Sequence, residues 1–64
     1  DMVSTDGYEY LFMLKGSVEY HLGDEMIILK EGDSLFFDGS IPHVPKNKSG
    51  EKATLLVIYI VTQN

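Results

Sequence analysis

The sequence predicts an all-β fold, a small antiparallel β-barrel of short strands, and three observations predict it. No segment sets its apolar residues at the spacing of an amphipathic helix. The apolar residues come instead in short runs, separated at close intervals by turn formers, as in a sandwich or barrel. Val18, Tyr20 and Leu22 alternate with Glu19 and His21, the period of two that gives a strand one apolar and one polar face.

Taken in order, the first seven residues read as a loop or a broken strand. Tyr8 to Leu14 is aromatic and aliphatic, holds no Gly or Pro, and is stopped by Lys15-Gly16-Ser17. Val18 to Leu22 runs straight into Gly23-Asp24 and then Met26 to Leu29. This is a hairpin whose tight turn uses glycine for positive φ. Glu31-Gly32-Asp33 makes the next turn and Ser34 to Phe37 the fourth strand. Asp38-Gly39-Ser40 with Pro42 forms a bend. His43 to Lys46 follows as a short strand that Pro45 confines to an edge or a bulge. Asn47 to Lys52 is a polar loop, and Ala53 to Val61 is the last and most apolar strand. Six strands on short turns predict an antiparallel meander, which must hide its edges by closing or by pairing with another chain.

The 64 residues make one domain, 1–64. A chain of this size buries only roughly 60% of its unfolded surface and usually needs a staple. With no cysteine, a disulfide is excluded. A metal, a partner subunit or additional chain remains, and because residue 1 is Asp, a fragment of a longer protein is expected. A hydrophobic content of 44% fits a folded domain, and a net charge of −5 argues against this domain itself gripping nucleic acid or an anionic membrane. No apolar run approaches the ~20 residues of a membrane span, and no signal peptide is visible. The expected location is the cytoplasm, with which the absence of cysteine is compatible. The glycines are spaced as turn punctuation, with no phosphate loop, and no nucleophilic cysteine or supported Ser-His-Asp order is present. Lys46, Lys48 and Lys52 with Glu51 read as solvated surface.

Two stretches carry a family resemblance. Glu9-Tyr10-Leu11-Phe12-Met13-Leu14-Lys15-Gly16 holds a Glu and a Gly separated by six residues. Gly32 to Asn47 holds Gly32, His43 and Asn47 at the spacing of a second motif, with Asp38 where that motif has Pro and Ser40 where it has Gly. Together they resemble the two motifs of the cupin superfamily, over about Gly7 to Val61. The resemblance implies a cupin β-barrel or jelly roll, truncated here or completed by a partner chain. The phrase from Gly32 to His43 looks most like the C-terminal cupin of helix-turn-helix regulators of the XRE type, where a separate upstream domain binds DNA and the cupin senses a small molecule. The first cupin motif normally opens with His, one residue, His. The corresponding residues here are Val3 and Thr5, or Met2 and Ser4, depending on the spacing.

Of the four usual metal ligands, Glu9 and His43 remain. One expectation is that they converge in the barrel and bind a divalent metal (Zn, Fe or Ni) weakly. The other is a buried polar pair that holds no metal and orients a polar ligand. By the resemblance Glu9 points inward, so Leu11 and Met13 line the cup, with Tyr20, Phe37 and the interior side of the last strand as further lining. Tyr8, Tyr10, Phe12 and Leu14 then face outward and need covering by a partner sheet, or pack within the chain against Leu55, Val57 and Tyr59. His21, on the polar side of its strand, is expected to be an exposed residue and not a third ligand. Three functions follow: a small-molecule-sensing domain of a transcription regulator, a metal-dependent isomerase or dioxygenase, or a non-catalytic binding or dimerisation domain. A homodimer and a small-molecule ligand are the expected partners.

Overall fold

The computed structural model describes residues 2–61, so the ends of the predicted 1–64 domain lie outside the described residues. Six strands form in the predicted order: β1 (Tyr8–Lys15), β2 (Ser17–Leu22), β3 (Glu25–Lys30), β4 (Ser34–Asp38), β5 (His43–Lys46) and β6 (Thr54–Ile60). They make two antiparallel three-stranded sheets, ordered β4-β1-β6 and β3-β2-β5. The predicted meander is therefore corrected. Of the consecutive strands only β2 and β3 pair as a hairpin, and every other connection crosses between sheets.

The first crossing shows why. The β1–β6 register shifts between Met13 and Lys15, a bulge that bends β1 at its end. Gly16 follows at φ 79°, where an L side chain is strained, and turns the chain into the other sheet. Pro45 lies in β5, at an outer position of its sheet, as its missing N–H requires. Residues ahead of β1 are tied down as well. Val3 and His43 exchange backbone hydrogen bonds, N–H to O, of 3.0 and 2.8 Å, and Thr5 N–H donates to the Gly39 carbonyl at 2.8 Å.

Strand pairing fixes which residues face inward. On one sheet Glu9, Leu11 and Met13 stand opposite Tyr59, Val57 and Leu55, with Glu9 and Leu11 also opposite Phe37 and Leu35. On the other, Val18 and Tyr20 stand opposite Leu29 and Ile27. The two sets meet in one core of Leu11, Met13, Val18, Tyr20, Leu29 and Phe37, flanked by Leu22, Ile27, Leu35, Ala53, Leu55 and Val57. Burying a side chain such as Leu11 or Met13 stabilises by about 1.5–3 kcal/mol. Leu55 and Val57 thus pack inside, and Tyr59 shares their inward register, which corrects the expectation that they cover the aromatic row of β1. That row lies on the outer face, beside Leu56, Ile58 and Ile60.

Candidate functional site

The inner face of β1 starts with Glu9, and β5 starts with His43, so each sheet contributes one polar residue to the same end of the core. Both are nearly inaccessible, 1% and 3% exposed. His43 Nε2 lies 2.7 Å from Glu9 Oε2 across the gap between the sheets. The same carboxylate oxygen accepts a hydrogen bond from the Thr5 hydroxyl at 3.0 Å. His43 Nδ1 donates to the Ile41 carbonyl at 2.7 Å.

This pattern fixes the proton count. A carbonyl oxygen only accepts, so Nδ1 carries a proton. One further proton is shared along the line between Nε2 and Oε2. Whether drawn as carboxylate with imidazolium or as acid with neutral imidazole, the pair is neutral overall. That neutrality, with the two flanking hydrogen bonds, makes burial tolerable where a lone carboxylate would not be. Among the described residues no buried side-chain polar atom lacks a partner.

The lining is aromatic and aliphatic. The Phe37 ring meets the His43 ring edge-on at a centroid distance of 4.9 Å, and Tyr20 stacks on it at 6.2 Å with 15° between planes. Leu11 and Met13 continue the inner face of β1 beyond Glu9. The structure therefore gathers Glu9, His43, Tyr20 and Phe37 at one end of the core, with Leu11 and Met13 extending it. His21 is on the opposite face of its sheet, paired with Met26 and Val44, where its ring lies 3.3 Å from Glu19 Oε1. It cannot join His43.

Burial holds the Tyr20 phenol far above its ordinary range, and the Glu9 carboxylate and Tyr59 add to the effect. The folded state thus keeps a proton that the unfolded chain releases near pH 10. Stability from this group is complete below about pH 10 and falls as pH rises toward the raised folded value. Tyr20→Phe is expected to remove this part of the alkaline decline. Urea midpoints at neutral and alkaline pH measure it, and an unchanged alkaline decline in the variant would show Tyr20 titrating normally.

Two residues that sequence reasoning leaves in the background complete the site. Thr5 is one of the alternatives at a missing histidine, and its hydroxyl supplies the second bond to Glu9. Because Val3 pairs with His43 and Thr5 with Glu9, the structure chooses Val3 and Thr5 over Met2 and Ser4 as the residues flanking the pair. Gly39 is the other. A Cβ there would collide with the Thr5 hydroxyl. Asp38 replaces the expected Pro by closing the bend itself. Its carboxylate accepts the Ser40 N–H at 2.9 Å, and bonding to Ser40 holds it below the usual carboxylate range.

These donors fit a metal poorly. Nε2 and Oε2 are bonded to each other, Nδ1 is spent on a carbonyl, and no group of three or more His, Cys, Asp or Glu suited to a metal occurs among the described residues. A protein metal centre usually takes at least three such ligands. No helix among the described residues is long and apolar enough to cross a membrane.

Comparison with known proteins agrees with the geometry. No curated protein matches the chain. The crystal structure of TT1209 from Thermus thermophilus superposes with a TM-score of 0.78 at 29% sequence identity, covering 89% of this chain and 55% of that one. The present chain thus spans about half the length of that relative. The cupin domain family matches residues 3–59. Two facing antiparallel sheets, with a Glu from one and a His from the other meeting between them, and a family match over nearly the whole length, place this chain in the cupin domain family.

Proposed function

We propose that this cupin domain binds a small polar molecule at the Glu9–His43 pair and serves as the sensing part of a transcription regulator, with DNA contacted by a separate segment. The observation that carries the binding reading is the 2.7 Å contact between Glu9 and His43, buried under Tyr20 and Phe37. The donor and acceptor of the pair satisfy each other, so a ligand binds by parting Nε2 from Oε2 and taking the place of each partner at the other. A ligand bearing both a donor and an acceptor, such as an amide or a hydroxy acid in its neutral form, satisfies both partners at once. A catalytic reading lacks an electrophile or nucleophile beside the pair. The regulator part of the reading is supported by the likeness of the Gly32 to His43 stretch to the cupins of helix-turn-helix regulators. It fails if the full gene encodes no DNA-binding segment.

A thermal-unfolding screen of the chain in chelator-treated buffer, against small amides, polyols and hydroxy acids, tests the binding. At least one class is expected to stabilise, by about 2.7 kcal/mol at a hundredfold excess over its Kd. The stabilisation should vanish in Glu9→Gln. Stabilisation by transition metals alone, with none from any organic probe, would overturn the proposal.

A further inference from the structure

A molecule that comes between Glu9 and His43 needs both a way in and a wider gap, because the two are 1% and 3% exposed and touch at 2.7 Å. Most of the wall around them is strand. β1 is laddered on both sides, to β4 and β6, and β2 to β3 and β5. Opening those ladders means unfolding a sheet.

Residues 3–7 are different. They lie outside the six strands and cross from one sheet to the other where the pair sits. On one side Val3 exchanges backbone hydrogen bonds with His43. On the other, Thr5 N–H donates to the Gly39 carbonyl, Gly39 N–H donates to the Gly7 carbonyl, and the Thr5 hydroxyl donates to Glu9. The segment thus ties the backbone of His43 to the side chain of Glu9, across the gap that a ligand must widen. Little apolar packing holds it. Val3 is 57% exposed, Ser4 and Asp6 are exposed, and Thr5 is half-buried. A segment with few buried apolar contacts opens at a lower cost than global unfolding. Gly7, at φ 96°, joins it to β1 and supplies the backbone freedom of a hinge.

We propose that residues 3–7 are a strap that gates the Glu9–His43 pair, hinged at Gly7 and latched by the Thr5 hydroxyl on Glu9. The closed strap holds the two side chains in contact. The open strap frees β5 to draw His43 away from Glu9. A molecule inserted between Nε2 and Oε2 therefore competes with strap closure, and by linkage each disfavours the other. The strap rests on the binding reading for what enters, but its opening is a property of the unliganded chain.

Native-state hydrogen exchange of the unliganded chain, residue by residue with and without low urea, tests the gate. The amides of Val3, Thr5, Gly39 and His43 are the four backbone donors that close the strap. They should exchange together, roughly 10-fold or more faster than amides inside β1. Their rates should hardly change with urea, because a local opening exposes little surface, while the β1 rates climb. Val18→Ala loosens the core toward the far end of β2 and should speed β1 without speeding the strap. Thr5→Val keeps the shape, loses the latch, and should speed the four strap amides by roughly 2- to 12-fold, the worth of one hydrogen bond. Strap amides with the urea slope of β1, or accelerated by Val18→Ala as much as β1, would overturn the gate. Rates unchanged by Thr5→Val would overturn the latch. Lactamide, which carries an amide and a hydroxyl, should raise the four strap rates while stabilising the fold. Stabilisation with slower strap exchange would mean that the strap closes over its ligand, against the proposal. If lactamide does not bind, the binding reading loses support, and the unliganded rates still decide the strap.

Discussion

His43→Ala is expected to remove about half of the protein's stability. The substitution leaves Glu9, 1% exposed, with the Thr5 hydroxyl as its remaining hydrogen-bond partner. Removing one member of a buried pair costs about 3–5 kcal/mol, because the survivor must ionise without a counter-charge or be protonated. A chain of this length has a total stability of only about 3–10 kcal/mol. Loss of the imidazole also removes the ring that Tyr20 and Phe37 pack against. The remedy separates the pair's electrostatics from its packing. Glu9→Met with His43→Phe fills the same space with apolar atoms and keeps a ring beside Tyr20 and Phe37. That double variant should recover most of the lost stability, since an apolar replacement of a buried pair is often neutral or better. It should bind none of the polar probes. Urea denaturation followed by circular dichroism measures all three proteins. A cost below about 1 kcal/mol for His43→Ala would mean that the pair is solvated or absent, as exposed ion pairs are.

Much of this pair was legible in the sequence, because both partners sit at fixed distances from glycines: Glu9 seven residues before Gly16, and His43 eleven after Gly32. Strand placement was legible for the same local reasons. Alternation marked β2, and the Gly23-Asp24 turn marked its hairpin with β3. Sheet membership was not. A glycine turn such as Lys15-Gly16-Ser17 looks the same whether the chain folds back in its own sheet or crosses to the other. Here the decision rests on a bulge and on the pairing of β1 with β6, some forty residues away, which no local pattern encodes. Which residues of β6 turn inward, Leu55 and Val57, was not legible for the same reason. β6 is apolar on both faces, so its sequence does not say which face is inside. The part played by Thr5 was hidden because a hydroxyl has no spacing signature of its own. It became visible only when residues 3–7 were found along the bend that holds Gly39.

That placement supplies the second large prediction. Val3→His combined with Thr5→His should convert the polar pair into a metal site. Val3 stands directly opposite His43 in an antiparallel bridge, so their side chains leave the same face of the sheet. Thr5 already reaches Glu9 Oε2. Imidazoles at both positions, with Glu9 and His43, make three nitrogens and one carboxylate, a donor set suited to zinc or another first-row divalent ion. Divalent metal should then bind at least ~100-fold more tightly than to the parent chain, since even an outer-shell partner is worth about 10–100-fold. Metal should also raise the variant's unfolding midpoint, because binding to the folded state alone stabilises it. Titration calorimetry with zinc, supported by thermal unfolding, measures both. The single variants test the geometry further. Thr5→His alone brings the count to three and should gain part of the affinity, whereas Val3→His alone keeps the Thr5 hydroxyl on Glu9 and should gain less. If the folded double variant binds zinc no better than the parent, residues 3 and 5 do not flank the pair. The contact of Thr5 with Glu9, on which the description of the site depends, would then have to be withdrawn.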